Sequence, residues 1–331
     1  MLSAQAATSR LPARARAHPP HPSAKTPPKP SFDANVVNNP ATTDAATPHT
    51  SGSAVLRAQV LLDRSHFSVG EIDGYFGDNM EKTVKAYQVA HKIVPDGTLN
   101  PDTWKALDAD TAPVLAPYTI TPADVAGPFY KVPKDMMAEA KLPALGYGSV
   151  EEELGERFHS SPALLQALNP GKDLHKAGEQ ITVPNVNRPP LTAQVSRILV
   201  TKSCNCLELL DDQNQVIAHY PATMGSEHDP LPIGDWTISK PMWNPVFHYN
   251  PKLFWDAKSK DSKAEIKPGP NNPVGVVWIG LSKEHYGIHG TPEPSTIGKT
   301  ESHGCIRLTN WDATEVANLV HQGMTASLRA D

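Results

Sequence analysis

Cysteine is scarce: three residues in 331 exclude the disulfide framework that staples small secreted domains. Aromatic residues make up 6% of the chain. No apolar run approaches the roughly 20 residues that a membrane-spanning helix requires. The longest apolar patches, such as Val274 to Leu281, are strand-sized and interrupted by glycine. Neither sign of charge dominates: 30 Lys and Arg face 35 Asp and Glu, a formal charge of −5, with no basic stretch suited to nucleic acid. Met1 to Ala7 are small and weakly apolar, without the long apolar core of a secretory signal, so export has to be argued from chemistry. Proline is in surplus, at 33 residues, and the length suffices for two or three domains of about 100–150 residues.

Residues 1–52 are rich in Pro, Ala, Thr and Ser, with Phe32 the only aromatic, a composition that predicts a disordered linker. From 53 to 110 the pattern turns helical. Met80, Val84, Tyr87 and His91 fall on one helix face, with Asp78 placed to cap it. Asn100-Pro101 reads as the N-cap and first turn of a helix carrying Trp104 and Leu107. The turns Asp73-Gly74-Tyr75-Phe76-Gly77 and Asp96-Gly97-Thr98-Leu99-Asn100 each precede a helix, which makes a small all-α three-helix domain. With Thr83-Val84-Lys85-Ala86-Tyr87-Gln88, these segments resemble the three-helix peptidoglycan-binding domain.

A second module covers 117–187. Ser149-Val150-Glu151-Glu152 is a capping-box signature, Ser161-Pro162 opens a further helix with Leu164, Leu165 and Leu168, and Ile181 to Pro184 reads as a strand. With Tyr118 to Thr121 as the opening strand, the order is strand, helix, helix, strand, with an insertion at 122–148. The runs from Leu164 to Gly171 and Gly178 to Asn185 make this α+β module similar to LysM, a fold that binds glycans containing N-acetylglucosamine.

Residues 190–331 carry many short strands with turn signals and predict a mainly-β sandwich or barrel-like domain, closed by a helix over Trp311 to Val320 with Asn310 as its cap. Ile198 to Leu210 reads as one strand. Cys204 and Cys206 would share one face of it as plain strand residues, with no companion His or Cys motif nearby to suggest a metal or redox role.

The residues that carry chemistry are Tyr286-Gly287-Ile288-His289-Gly290-Thr291 and Ser302-His303-Gly304-Cys305-Ile306-Arg307-Leu308. A cysteine nucleophile acts as its thiolate and needs a base or positive charge nearby. His289, at the end of an apolar strand, and His303, two residues before Cys305, are both candidate bases. Arg307 can fix a carboxylate through a bidentate pair. No His stands at zinc-ligand spacing from an acidic or thiolate partner, so no metal or cofactor is called for.

This run is similar to the active-site signature of the L,D-transpeptidase catalytic domain. Met224-Gly225, Pro230 to Gly234, Pro268 to Gly275 and Ile297-Gly298 extend the likeness over nearly all of the last domain. The resemblance implies a peptidoglycan enzyme that forms 3→3 cross-links through a Cys305 thioester, releasing D-alanine. It implies His289 as general base, oriented by a backbone carbonyl, plausibly that of Gly290, and backbone N–H groups around Gly304 and Cys305 as an oxyanion hole. Arg307, Ser302 and His303 would serve the substrate and the loop. It further implies export to the periplasm or cell envelope, stem peptides and glycan strands as partners, and acylation by carbapenems. Use of water, a free D-amino acid or a lipoprotein as acceptor stays open, as does a non-catalytic wall-binding scaffold.

Overall fold

The structure is a computed structural model and describes residues 32–331. Residues 1–31 of the expected linker lie outside the described residues. From Phe32 onward the chain departs from that expectation. Asp33 caps a short helix, α1 (Ala34–Asn38), by accepting from the Asn35 N–H. Phe32, Val37 and Ala46 are buried in the core of the following helical domain. Phe32 seats against Gly74, where any Cβ would come within 2.4 Å of the ring. Two large apolar side chains with a groove to fill offset the ordering entropy that the composition suggested could not be met.

Three helices form that domain: α2 (Ser53–Arg64), α3 (Asp78–Ala90) and α4 (Pro101–Leu107). The repeated Asp-Gly turns share one device. Gln59 donates to Asp73 Oδ1 and accepts from the Gly74 N–H. Gln88 does the same with Asp96 and Gly97. Both glutamines are buried, and both turn glycines take positive φ. Asn100 caps α4 by accepting from the Thr103 N–H. At α3, Gly77 is the capping residue and Asp78 lies inside the first turn, where its charge complements the helix dipole without a capping hydrogen bond. His91 falls past the end of α3 and stacks on Tyr87 at 3.9 Å.

In the second module β1 (Leu115–Thr119) pairs antiparallel with β2 (Gln180–Pro184), three residues earlier than the expected opening strand. Between them come α5 (Met136–Glu139), α6 (Val150–Arg157) and α7 (Pro162–Leu168). Ser149 accepts from the Glu152 N–H, while the Glu152 carboxylate accepts from Gly148. Segment 122–148, which includes α5, reaches over to the last domain, where Leu145 is buried with Tyr249 and Ile266.

The last domain is built on two five-stranded sheets. One has the order β5 (Val216–Pro221), β4 (Cys206–Leu210), β3 (Arg197–Thr201), β14 (Thr325–Arg329), β7 (Gly234–Thr237). The other runs β6 (Thr223–Met224), β13 (Ile306–Arg307), β12 (Gly287–His289), β11 (Val277–Gly280), β8 (Met242–Trp243). Each holds one parallel pairing, β14 with β3 and β12 with β13. Ile198, Leu207, Leu209 and Leu328 from the first sheet and Val277, Ile279, Ile288 and Ile306 from the second share one core. A two-stranded flap, β9 (Phe247–Tyr249) with β10 (Ala264–Ile266), stands beside them.

Two local expectations are corrected here. Ile198 to Leu210 is a hairpin, not one strand: Asn205 takes a left-handed φ of 51°, and Cys204 lies in the turn, disulfide-bonded to Cys206. Helix α8 (Asn310–Leu319) is capped by Thr309, which accepts from the Asp312 N–H. Asn310 instead turns its side chain outward from the helix, donating to Glu156 and Pro270 and accepting from Val276.

The modules are joined by buried charge. Arg188, in the segment that follows β2, meets Asp63 of α2 at 2.6 Å and Asp312 of α8 at 3.3 Å, and pairs with Glu315. His159 adds a contact to Asp63 at 3.1 Å, and Ser68 donates to Asp312 at 2.8 Å. Burial alone would raise Asp63, but Arg188 and His159 outweigh it and hold its carboxyl far below the usual range. Removing the guanidinium leaves these carboxylates buried without their counter-ion, a loss of about 3–5 kcal/mol. Arg188→Ala is therefore expected to unfold at markedly lower urea than wild type. An unchanged midpoint would show that the junction does not rest on this charge.

Candidate active site

Strands β12 and β13 hold the residues that the sequence singled out. Their parallel register sets Ile288 beside Ile306 and His289 beside Arg307. Strand alternation turns both isoleucines into the core, where they are fully buried. The same alternation brings His289, Arg307 and Cys305 to the opposite face. The Leu308 N–H donates to the His289 carbonyl at 2.8 Å and fixes the pairing where β13 ends.

The His289 ring is held twice. Its Nδ1 lies 2.7 Å from the Gly290 carbonyl. A carbonyl only accepts, so Nδ1 carries the proton and Nε2 keeps a free lone pair. On one side the ring stacks on Trp278 of β11 at 5.4 Å. Burial, and after it the positive charge of Arg307, lower the His289 pKa to about 3 against the opposing pull of the Gly290 carbonyl. Burial pushes the Cys305 thiol up to about 11, partly countered by a backbone hydrogen bond from Gly287 and by Arg307. At neutral pH Cys305 is thus a thiol and His289 a neutral imidazole. Such a pair suits proton removal in step with sulfur attack, with no standing thiolate.

The loop before Cys305 is shaped by contacts that only certain residues permit. Gly304 has φ 93°, and a Cβ there would come within 2.5 Å of the Tyr286 ring. Ser302 accepts from the Gly225 N–H at 2.8 Å and donates to the Cys305 carbonyl at 2.6 Å, tying the cysteine loop to the strand end at β6. Arg307 is partly buried, its Nε has no hydrogen-bond partner, and burial lowers its pKa. A partly dehydrated guanidinium with spare donors is suited to an incoming carboxylate.

His303 goes elsewhere. Its Nε2 meets Asp256 at 3.0 Å, and its ring packs edge-on to Phe254 and lies beside Trp255. These three belong to the segment between β9 and β10, so His303 links the cysteine loop to the flap. Trp255 in turn stacks on His228 at 4.9 Å. Met242, Trp243 and Trp255 remain exposed nearby along the chain of the flap.

Sequence reasoning passed over Trp278 and the flap aromatics, and gave Tyr286 no role of its own. Gly287 carried a usable signal: a Cβ there would meet the Trp278 ring at 2.6 Å, so a glycine before the apolar residue and histidine marks a close aromatic neighbour. Nothing local pointed to Trp255.

Two stretches of the chain match known protein families. The family described as "L,D-transpeptidase catalytic domain" matches residues 196–327. The family described as "Putative peptidoglycan binding domain" matches residues 51–107. "Putative L,D-transpeptidase YkuD" of Bacillus licheniformis is 32% identical over 183 residues, covering 55% of this chain and 94% of the relative. The protein of the same name in Bacillus subtilis is 31% identical over 182 residues, with the same coverage of 55% and 94%. Among solved structures, an L,D-transpeptidase from Xylanimonas cellulosilytica aligns over 92% of this chain and 100% of its own at 15% identity, with a TM-score of 0.38.

The neutral resting pair has a measurable signature. Alkylation of Cys305 by iodoacetamide should be slow at pH 7 and climb with pH towards about 11, the value to which burial pushes the thiol. A plateau already reached below pH 8 would mean that a thiolate is standing in the free protein.

Proposed function

The chain belongs to the L,D-transpeptidase family, and on that premise we propose that Cys305 is the nucleophile and His289 the general base of a peptidoglycan cross-linking reaction. The reading is carried by the parallel pairing of β12 with β13, together with the 2.7 Å contact between His289 Nδ1 and the Gly290 carbonyl. In the first half-reaction the Cys305 sulfur attacks the carbonyl between the third stem residue and the terminal D-alanine. His289 Nε2 takes the thiol proton as the bond forms. Backbone N–H groups about Gly304 and Cys305 receive the charge on the carbonyl oxygen. Collapse breaks the C–N bond, His289 returns the proton to the departing amine, and a thioester remains. In the second half an amine of a neighbouring stem attacks the thioester, His289 accepts its proton, and the sulfur leaves to regain a proton. The product is a 3→3 link.

Arg307 holds a charged group of the stem, and Ser302 keeps the loop in place. His303 belongs to the flap side of the substrate cleft. The helical domain over 53–110 holds the enzyme on the wall. The β1–β2 module over 117–187 is read as LysM-like, with α6 and α7 between its strands, and would take glycan. Segment 122–148 braces that module against the flap, since Leu145 lies with Tyr249 and Ile266. Export to the cell envelope fits this substrate and the Cys204–Cys206 disulfide, which persists in oxidising compartments.

Incubation of wild type and Cys305→Ala with disaccharide-tetrapeptide tests the reading by mass spectrometry. Wild type should release D-alanine and form a cross-linked dimer, and the variant should do neither. Release without dimer would reassign the acceptor to water or a free D-amino acid. No release by folded wild-type protein would leave a binding scaffold. A carbapenem should add its whole mass to wild type and nothing to Cys305→Ala. An adduct on another residue would overturn the assignment of the nucleophile.

A further inference from the structure

A cluster of side chains of metal-ligating type sits on the sheet that does not carry Cys305. Leu207 and Leu209 of β4 point into the core, so Cys206 and Glu208 share the outer face. On the neighbouring strand β5, His219 is the register partner of Glu208. One donor atom from each of Cys206, Glu208 and His219 lies within 4.8 Å of the others. His219 is almost fully buried: its Nδ1 faces Glu208 at 3.2 Å, and its Nε2 has no hydrogen-bond partner. Cys204 brings a fourth donor, because its sulfur is bonded to that of Cys206.

The helical domain continues the sheet at its β5 edge, where Phe67 pairs with His219. The Ser68 N–H donates to the His219 carbonyl at 2.8 Å, and the His219 N–H donates to His66 at 2.9 Å. His219 is thereby held at the junction of the two domains, where a buried imidazole nitrogen without a partner is costly. In the disulfide state neither sulfur is a thiolate, and the group lacks the thiolate ligands that zinc favours.

We propose that reduction of the Cys204–Cys206 disulfide converts this cluster into a Zn²⁺ site with Cys204, Cys206, Glu208 and His219 as ligands. The donor set, two sulfurs, one nitrogen and one carboxylate oxygen, is of the kind that holds zinc tetrahedrally. The step balances with a dithiol as reductant. One of its thiolates attacks a sulfur of the pair, its second thiolate closes the reductant's own disulfide, and two electrons and two protons end on Cys204 and Cys206. Zinc then displaces both protons.

Native mass spectrometry on the full chain tests this in a Cys305→Ser background, so that Cys204 and Cys206 are the only cysteines left. Reduction uses a phosphine, which supplies the same two electrons with little affinity for zinc. The reduced protein should retain one zinc ion and lose two protons, and the oxidised protein should retain none. Zinc should raise the melting temperature of the reduced form alone. Cys204→Ser, in the partly exposed turn, and His219→Gln should each weaken zinc binding by more than the roughly tenfold effect of losing an outer partner. Circular dichroism checks that both variants are folded. No zinc on the reduced protein would overturn the proposal, as would equal retention by the oxidised protein or by either folded variant.

Discussion

Two very short strands, Gly287–His289 and Ile306–Arg307, lie parallel, and the chemistry of the last domain depends on that pairing. Parallel neighbours cannot be joined by a tight turn. The chain between them has to leave the sheet, and it uses the excursion to build the cleft. Pro292 to Thr296 pass the second module, Gly298 lies against Asn79 of the helical domain, and Ser302 returns to the β6 end before Cys305 is reached. The buried pair Ile288 and Ile306 anchors the register from the core side. A slip of one residue would move His289 and Cys305 to opposite faces.

The electrostatic character of the site follows from the same burial. His289 is enclosed by Trp278, by the Gly290 carbonyl and by the Arg307 side of the ladder, so its charged form is disfavoured. The thiol is disfavoured as a thiolate for a similar reason. A site of this kind keeps the Cys305 sulfur protonated at neutral pH, which limits its oxidation and alkylation. Arg307 supports the developing thiolate and disfavours the imidazolium, so its single positive charge acts on the two partners in opposite senses.

The three modules form a continuous body through buried polar contacts and not through apolar packing alone. Arg188 gathers Asp63 and Asp312 from two domains, and Asn79 donates to Ile297 on the segment that leads to Cys305. Segment 122–148, read from sequence only as an excess of length, supplies Leu145 beneath the flap. The two N-terminal modules are therefore packed against the domain that carries Cys305.

By itself the sequence determined the elements whose causes are local. Asn100-Pro101, Ser161-Pro162 and the twin Asp-Gly turns announce helix starts because caps and turns are decided within four or five residues. The dense run from Ser302 to Leu308 likewise singled out a nucleophile candidate. Tertiary structure decided what depends on chain segments far apart. Phe32 found a groove at Gly74, which composition could not disclose. His303, adjacent in sequence to the cysteine loop, was drawn to the flap by Asp256 and Phe254. Cys204 and Cys206 stood without a companion histidine until the β4–β5 register set His219 opposite Glu208. Propensity and capping act over one turn of chain, whereas strand register and burial are fixed only when remote segments compete for the same core.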